Sequence, residues 1–235
     1  MEIKEGNNAI TRSGDAVINN TDNSPGAADD RSVTDEREVI KMKNEETNNH
    51  TLSSLLKDEI RKTTDYHDHN ILIYPDLSTF REVYAECTKD ALDNNEIVFL
   101  ATTYDAFPRV KQELLDRGIS VDNEAKAGNL FIVDSIKAYM IDTQGAMNFL
   151  RTLDVRAARE GKAGIFNISD MGSFFVTERI ATLVEYEETL PKKFDIKSKS
   201  ICSYHKEDFA ILSTDQQERI FSAHNRKMHS GNFIY

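Results

Sequence analysis

From residue 69 onward the chain alternates short apolar runs with longer amphipathic stretches, and that rhythm leaves few folds open. Asn70-Ile71-Leu72-Ile73-Tyr74 shows no polar alternation, as expected of a strand covered on both faces. Leu77, Phe80, Val83, Tyr84, Cys87, Ala91 and Leu92 then fall at helical spacing. A second strand is expected over 96–102. Asp105 is placed to cap the following helix, with Pro108 in its first turn and Gly118 at its end. Further strands are expected over 130–133, 164–169 and 200–205. Helices are expected over 143–160, carrying Met147, Leu150, Leu153 and Ala157, and over 176–190, ended by Pro191. A last helix starts near Thr214, which has capping-box spacing with Gln217, and Phe233-Ile234-Tyr235 reads as a short terminal strand. Repeated strand–helix–strand units predict an α/β fold with a mostly parallel sheet and helices on both faces.

Residues 1–50 contain no Phe, Tyr, Trp or Leu, so all 12 Phe and all 8 Tyr fall in the remainder. Such a segment buries too little apolar surface to offset roughly 1–2 kcal/mol of backbone entropy per ordered residue. It is expected to be a disordered, acidic, solubilising tail. Leu52, Leu55, Leu56 and Ile60 predict a linker helix over 51–64 that packs on the folded domain of residues 65–235. The net charge of −11 argues against nucleic acid or an anionic membrane as the main partner. Two cysteines, strand-sized apolar runs and no apolar stretch behind the amino terminus predict a cytoplasmic protein without a membrane span.

The usual phosphate chemistry is missing. The first strand leads into Tyr74-Pro75-Asp76-Leu77-Ser78-Thr79, which lacks the glycines and lysine of a P-loop, and no Gly-x-Gly-x-x-Gly occurs. No His-Glu-x-x-His, Cys-x-x-Cys or Gly-x-Ser-x-Gly is present either, which lowers the odds on an enzyme. His67-Asp68-His69 falls short of the three protein ligands a metal site requires. In a parallel sheet ligands sit beyond the carboxyl ends of the strands, which selects Tyr74-Pro75-Asp76, Thr102-Thr103-Tyr104, Asp134-Ser135, Asp170-Met171 and Tyr204-His205, with Tyr74, Tyr104, Asp170 and Tyr204 as the expected ligand contacts. Glu187 falls on the apolar stripe of Ile180, Leu183 and Val184. His224 falls on that of Ile220, Phe221 and Met228. A polar residue turned toward a core needs a partner, so these two are candidates for a polar cluster in an apolar cavity. Cys202, in mid-strand, shares a face with Tyr204 and reads as a small core residue before a reactive thiol.

The order of these features resembles the MEDS family, the methanogen/methylotroph DcmR sensory domain. His69-Asn-Ile-Leu-Ile-Tyr74 resembles the family's opening strand, and Asp93-Asn-Asn-Glu-Ile-Val-Phe-Leu100 its passage into the second. Gly164-Ile-Phe-Asn-Ile-Ser-Asp170-Met171-Gly-Ser-Phe174 is similar to its fourth strand and turn. Glu185-Tyr186-Glu187 matches a helical motif, Ile201-Cys202-Ser-Tyr204 a later strand and His224 a late histidine. Asp170, Phe174 and His205 depart from residues usual in the family. The resemblance covers about residues 66–230 and implies a RecA/KaiC-like three-layer fold without the P-loop. It implies a non-catalytic small-molecule sensor, for simple hydrocarbon derivatives, acting in signal transduction or transcription through a kinase or transcription-factor partner. The ligand-binding set expected is His69, Tyr74, Tyr104, Asp170, Glu187, Cys202, Tyr204 and His224, with no catalytic residue, metal or cofactor. Two other readings stand beside it: a degenerate RecA/KaiC-like ATP-binding protein, and a protein-interaction module that forms a homodimer through the 51–64 helix.

Overall fold

The computed structural model describes residues 52–141 and 143–229; the expected tail over 1–50 and terminal strand over 233–235 lie outside the described residues. Six strands form one sheet: β1 (His69–Tyr74), β2 (Ile97–Thr102), β3 (Leu130–Asp134), β4 (Ile165–Asp170), β5 (Ser198–His205) and β6 (Arg226–His229). Their spatial order is β3-β2-β4-β5-β1-β6, and every pairing is parallel. This is the α/β architecture the alternation predicts. β1, β2 and β4 are buried along their whole lengths, as expected of strands covered on both faces, although β4 carries Asn167, Ser169 and Asp170 and β1 opens with His69-Asn70.

The helices are α1 (52–63), α2 (Leu77–Asp93), α3 (Phe107–Asp116), α4 (Val121–Ala127), α5 (Ser135–Ile141), α6 (Thr143–Glu160), α7 (Gly172–Val176), α8 (Ile180–Thr189), α9 (Lys206–Ile211) and α10 (Thr214–Ala223). Up to β3 the chain steps one way across the sheet, and after β3 it steps back. Right-handed crossovers then require the later helices to lie on the opposite face. They do: α1–α4 pack with Leu72, Tyr74, Val98 and Leu100 on one side, and α5–α10 with Ile71, Ile73, Phe99, Cys202 and Tyr204 on the other.

Several local expectations are corrected. Asp105 does not cap α3, whose N-cap is Ala106. Its carboxylate instead receives Nε and Nη2 of Arg81, a stronger charge-assisted partner from α2. The helix expected over 176–190 is interrupted at 177–179, where Glu178 adopts a positive φ of 56°. The capping box of α10 is Ser213 with Gln216, one residue earlier than expected. That helix ends at Ala223, so His224 and Met228 do not share its stripe; Met228 belongs to β6.

α1 lies along α2. Leu56 and Ile60 are buried beneath it, and Lys57–Glu86 and Arg61–Asp90 pair across its edge. Among the described residues no helix is long and apolar enough to cross a membrane.

Candidate functional site

The eight expected site residues separate into two groups on different parts of the sheet. The first is at the carboxyl ends of β2 and β4, where the chain leaves in opposite directions and a crevice would normally open. Here the crevice is laced shut by Asp170. Its Oδ2 accepts the Thr103 amide at 3.1 Å, its Oδ1 accepts the Gly172 amide at 3.0 Å, and the Tyr74 hydroxyl lies 3.4 Å from Oδ1. The Tyr74 ring stacks on Phe80 with centroids 4.2 Å apart. Tyr104 joins this group through a hydrogen bond to Asp208, one of the two first-turn acids of α9, and its ring lies over Gly172 where a Cβ would stand 2.5 Å away. Burial pushes the Asp170 carboxyl up to about 6, against the pull of the two amides; Asp208 and the Tyr74 hydroxyl act more weakly. Burial and Asp170 likewise push the Tyr74 hydroxyl upward.

The second group is interior. His69 opens β1 and points with Ile71 and Ile73 to the face that α5–α10 cover. Cys202 and Tyr204 point to that face from β5. Glu187 comes from the last turn of α8, on the stripe of Leu183 and Val184. His224 follows α10 with an extended backbone, φ −103° and ψ 152°, which turns its ring inward without helical spacing. Four donors thus meet from four elements: His69, Glu187, Cys202 and His224 are all buried, and their ligand atoms lie within 4.8 Å of one another. His69 Nε2 is 3.3 Å from Cys202 Sγ and 3.6 Å from Glu187 Oε2, and His224 Nε2 is 3.5 Å from the same oxygen. The Tyr204 hydroxyl donates to Glu187 Oε1, and His224 Nδ1 lies 2.7 Å from the Ile220 carbonyl.

Three polar atoms of the group make no hydrogen bond: His69 Nδ1, Glu187 Oε2 and His224 Nε2. Backbone carbonyls of Ala223 and Pro191 approach the His69 ring without completing one. Burial and then His224 hold the His69 imidazole well below its usual range. Burial and the Glu187 carboxylate push the Cys202 thiol well above its own. The surroundings are aromatic: Phe194 sits 5.0 Å from the His69 ring, and Tyr139, Phe174 and Tyr186 pack together with centroids 5.6–5.9 Å apart.

The structure therefore joins Tyr74, Tyr104 and Asp170 at the strand ends, and His69, Glu187, Cys202, Tyr204 and His224 inside. Tyr204 belongs with the interior residues, because the period of β5 turns it away from the strand-end residues. His67 joins neither group; its Nδ1 lies 3.2 Å from the Phe194 carbonyl. Thr103, which the strand-end rule selects, holds Asp170 twice, through its amide to Oδ2 and through its hydroxyl to the backbone carbonyl at 3.3 Å. Sequence reasoning missed Asp208, one of two adjacent acids in the first turn of the helix behind the fifth strand.

Among curated proteins no match is found. Among solved structures, the Aeropyrum pernix ORC2 protein in its ADPNP–ADP complexes is similar over 78% of this chain, at 12% identity and a TM-score of 0.35. The match covers 47% of that protein, so the present chain corresponds to about half its length. The sequence profile described as "MEthanogen/methylotroph, DcmR Sensory domain" matches residues 68–225, from the aspartate before β1 to the asparagine after His224. The interior group lies wholly inside that span, and the chain belongs to the MEDS family of sensory domains.

Proposed function

We propose that this domain is a non-catalytic sensor of a small molecule, and that the interior group around Glu187 is its recognition centre. The observation that carries the reading is the convergence of Glu187 Oε2 and His224 Nε2, both without a hydrogen-bonding partner, in aromatic surroundings. Native interiors seldom leave several such atoms together unsatisfied, because each costs about 1–3 kcal/mol. A ligand with one or two polar atoms on a small hydrocarbon frame suits this mixture of sparse polar and abundant apolar contacts. Simple hydrocarbon derivatives are such molecules. A kinase or transcription factor reading the outer surfaces of α8 and α10 would supply the output, since Glu187 lies in the last turn of α8 and His224 directly follows α10.

The test is thermal unfolding of the full chain against short alcohols, amides, carboxylates, methylamines and halomethanes. A true ligand at 100 times its Kd adds about 2.7 kcal/mol of stability. That gain should disappear in Glu187→Gln. The reading fails if no class raises the melting temperature, or if the gain survives Glu187→Gln undiminished.

A further inference from the structure

We infer that His69, Glu187, Cys202 and His224 form a binding site for a single d-block cation of the zinc class. Three observations carry this beyond a cluster of suitable residue types.

The first is spacing. Ligands bound to one tetrahedral ion at about 2.0–2.3 Å stand roughly 3.3–3.8 Å from each other. All six separations lie within 4.8 Å, and three of them are 3.3, 3.5 and 3.6 Å. The last two are too long for hydrogen bonds between imidazole nitrogen and carboxylate oxygen. They are the distances expected of atoms that share a metal.

The second is orientation. His224 Nδ1 donates to the Ile220 carbonyl, so the Nε2 lone pair faces the centre. A ligating histidine characteristically has its other ring nitrogen anchored in this way. Tyr204 donates to Glu187 Oε1 and leaves Oε2, the oxygen that has no other partner, aimed at both histidines. The protein thus supplies not only donors but the outer contacts that hold two of them in position.

The third is charge. A thiolate and a carboxylate together bring two negative charges into a buried site, and a divalent cation offsets them where, among the described residues, no salt bridge from Lys or Arg reaches the group. On binding, the Cys202 S–H bond breaks, its proton leaves to solvent, and the sulfur forms the metal–thiolate bond. One thiolate and two imidazoles select zinc, iron(II), cobalt, nickel or copper over magnesium and calcium. Four protein donors fill a tetrahedral ion, leaving no position for an activated water, which fits a holding or sensing role better than hydrolysis.

This inference uses the residues of the sensor reading but needs no organic ligand and no signalling output. The test is elemental analysis of the untagged full chain purified without chelator, followed by titration of chelator-stripped protein with Co²⁺ and Zn²⁺. Expected are about one metal per chain, and with Co²⁺ both a thiolate charge-transfer band and strong tetrahedral visible bands. Cys202→Ser should lose the charge-transfer band, and His224→Gln should lower the affinity at least tenfold. Folding of each variant is checked by circular dichroism. Should a variant not fold, the wild-type cobalt spectrum decides by itself. Wild-type protein that is metal-free as purified and takes up neither Co²⁺ nor Zn²⁺ overturns the inference, as does a cobalt spectrum without a thiolate band. A metal-free protein that still responds to an organic ligand keeps the sensor reading and removes this one; a metal-loaded protein with no organic response does the reverse.

Discussion

Asp76 accepts two hydrogen bonds from Thr79, one from its amide at 2.8 Å and one from its hydroxyl at 2.9 Å. The amino end of α2, directly behind β1, is where a phosphate would be cradled in a nucleotide-binding sheet. Here the chain's own carboxylate occupies it and brings negative charge to the position a phosphate would need. Mg-ATP should therefore show no heat of binding by titration calorimetry and no hydrolysis. Saturable binding in the micromolar range would contradict this. Asp76→Ala should lower stability by about 0.5–2 kcal/mol through loss of the cap, read as a shift in the urea midpoint.

Asp170 gives the fold a dependence on pH. Its carboxyl rises from 3.8 to about 6 in the folded protein, so the folded state binds its proton more tightly than the unfolded chain does. The resulting stability is fully present below about 3.8 and is lost as pH rises through about 6. Its size is roughly 3 kcal/mol, since each unit of displacement is worth about 1.4 kcal/mol. Asp170→Asn removes the titration. The difference in unfolding free energy between wild type and variant should change between pH 6.5 and 4.5 in favour of wild type. A difference that stays flat across that interval would show that Asp170 does not titrate there.

Tyr204 anchors Glu187 from below, and both are buried. Tyr204→Phe leaves a buried carboxylate oxygen without its donor, which costs about 1–3 kcal/mol. Chemical denaturation reads this directly. A loss of only a few tenths would mean that Glu187 is held by something other than this hydroxyl.

Two arginine pairs should behave differently despite similar geometry. Arg81 grips Asp105, whose side chain is 5% exposed, whereas Arg219 grips Glu188 with both partners more than 40% exposed. Arg81→Ala strands a nearly buried charge and should cost about 1–3 kcal/mol. Arg219→Ala should leave the urea midpoint close to that of wild type, because solvent screens the pair. Equal losses in the two variants would refute the distinction.

The sheet was legible because strands covered on both faces must be apolar throughout, as Ile97–Thr102 and His69–Tyr74 largely are. β6 was not, because Arg226–His229 is an edge strand with only Met228 buried, and its pairing is supplied by β1 from the far end of the domain. Glu187 could be singled out by its place on a helical stripe. His224 was singled out on a stripe that does not exist, since its helix stops one residue before it, although the side chain is buried all the same. Periodicity registers burial within an element; it cannot register that four donors from four elements meet. His67-Asp68-His69 drew attention by local spacing, whereas the partners of His69 lie on β5, α8 and the turn after α10. Asp105 shows the same limit. Its position suited a cap, and a residue from another helix claimed it.

The domain closes where its two ends meet: Asn225 donates to Asp68 at 2.8 Å through its side chain and to the His69 carbonyl at 2.6 Å through its amide. His69 is made before His224. A nascent chain that has not reached residue 224 holds at most three of the four inward-facing groups, and one truncated before it never acquires the fourth. Completion of that inner quartet therefore reports that translation has run to the end of the domain.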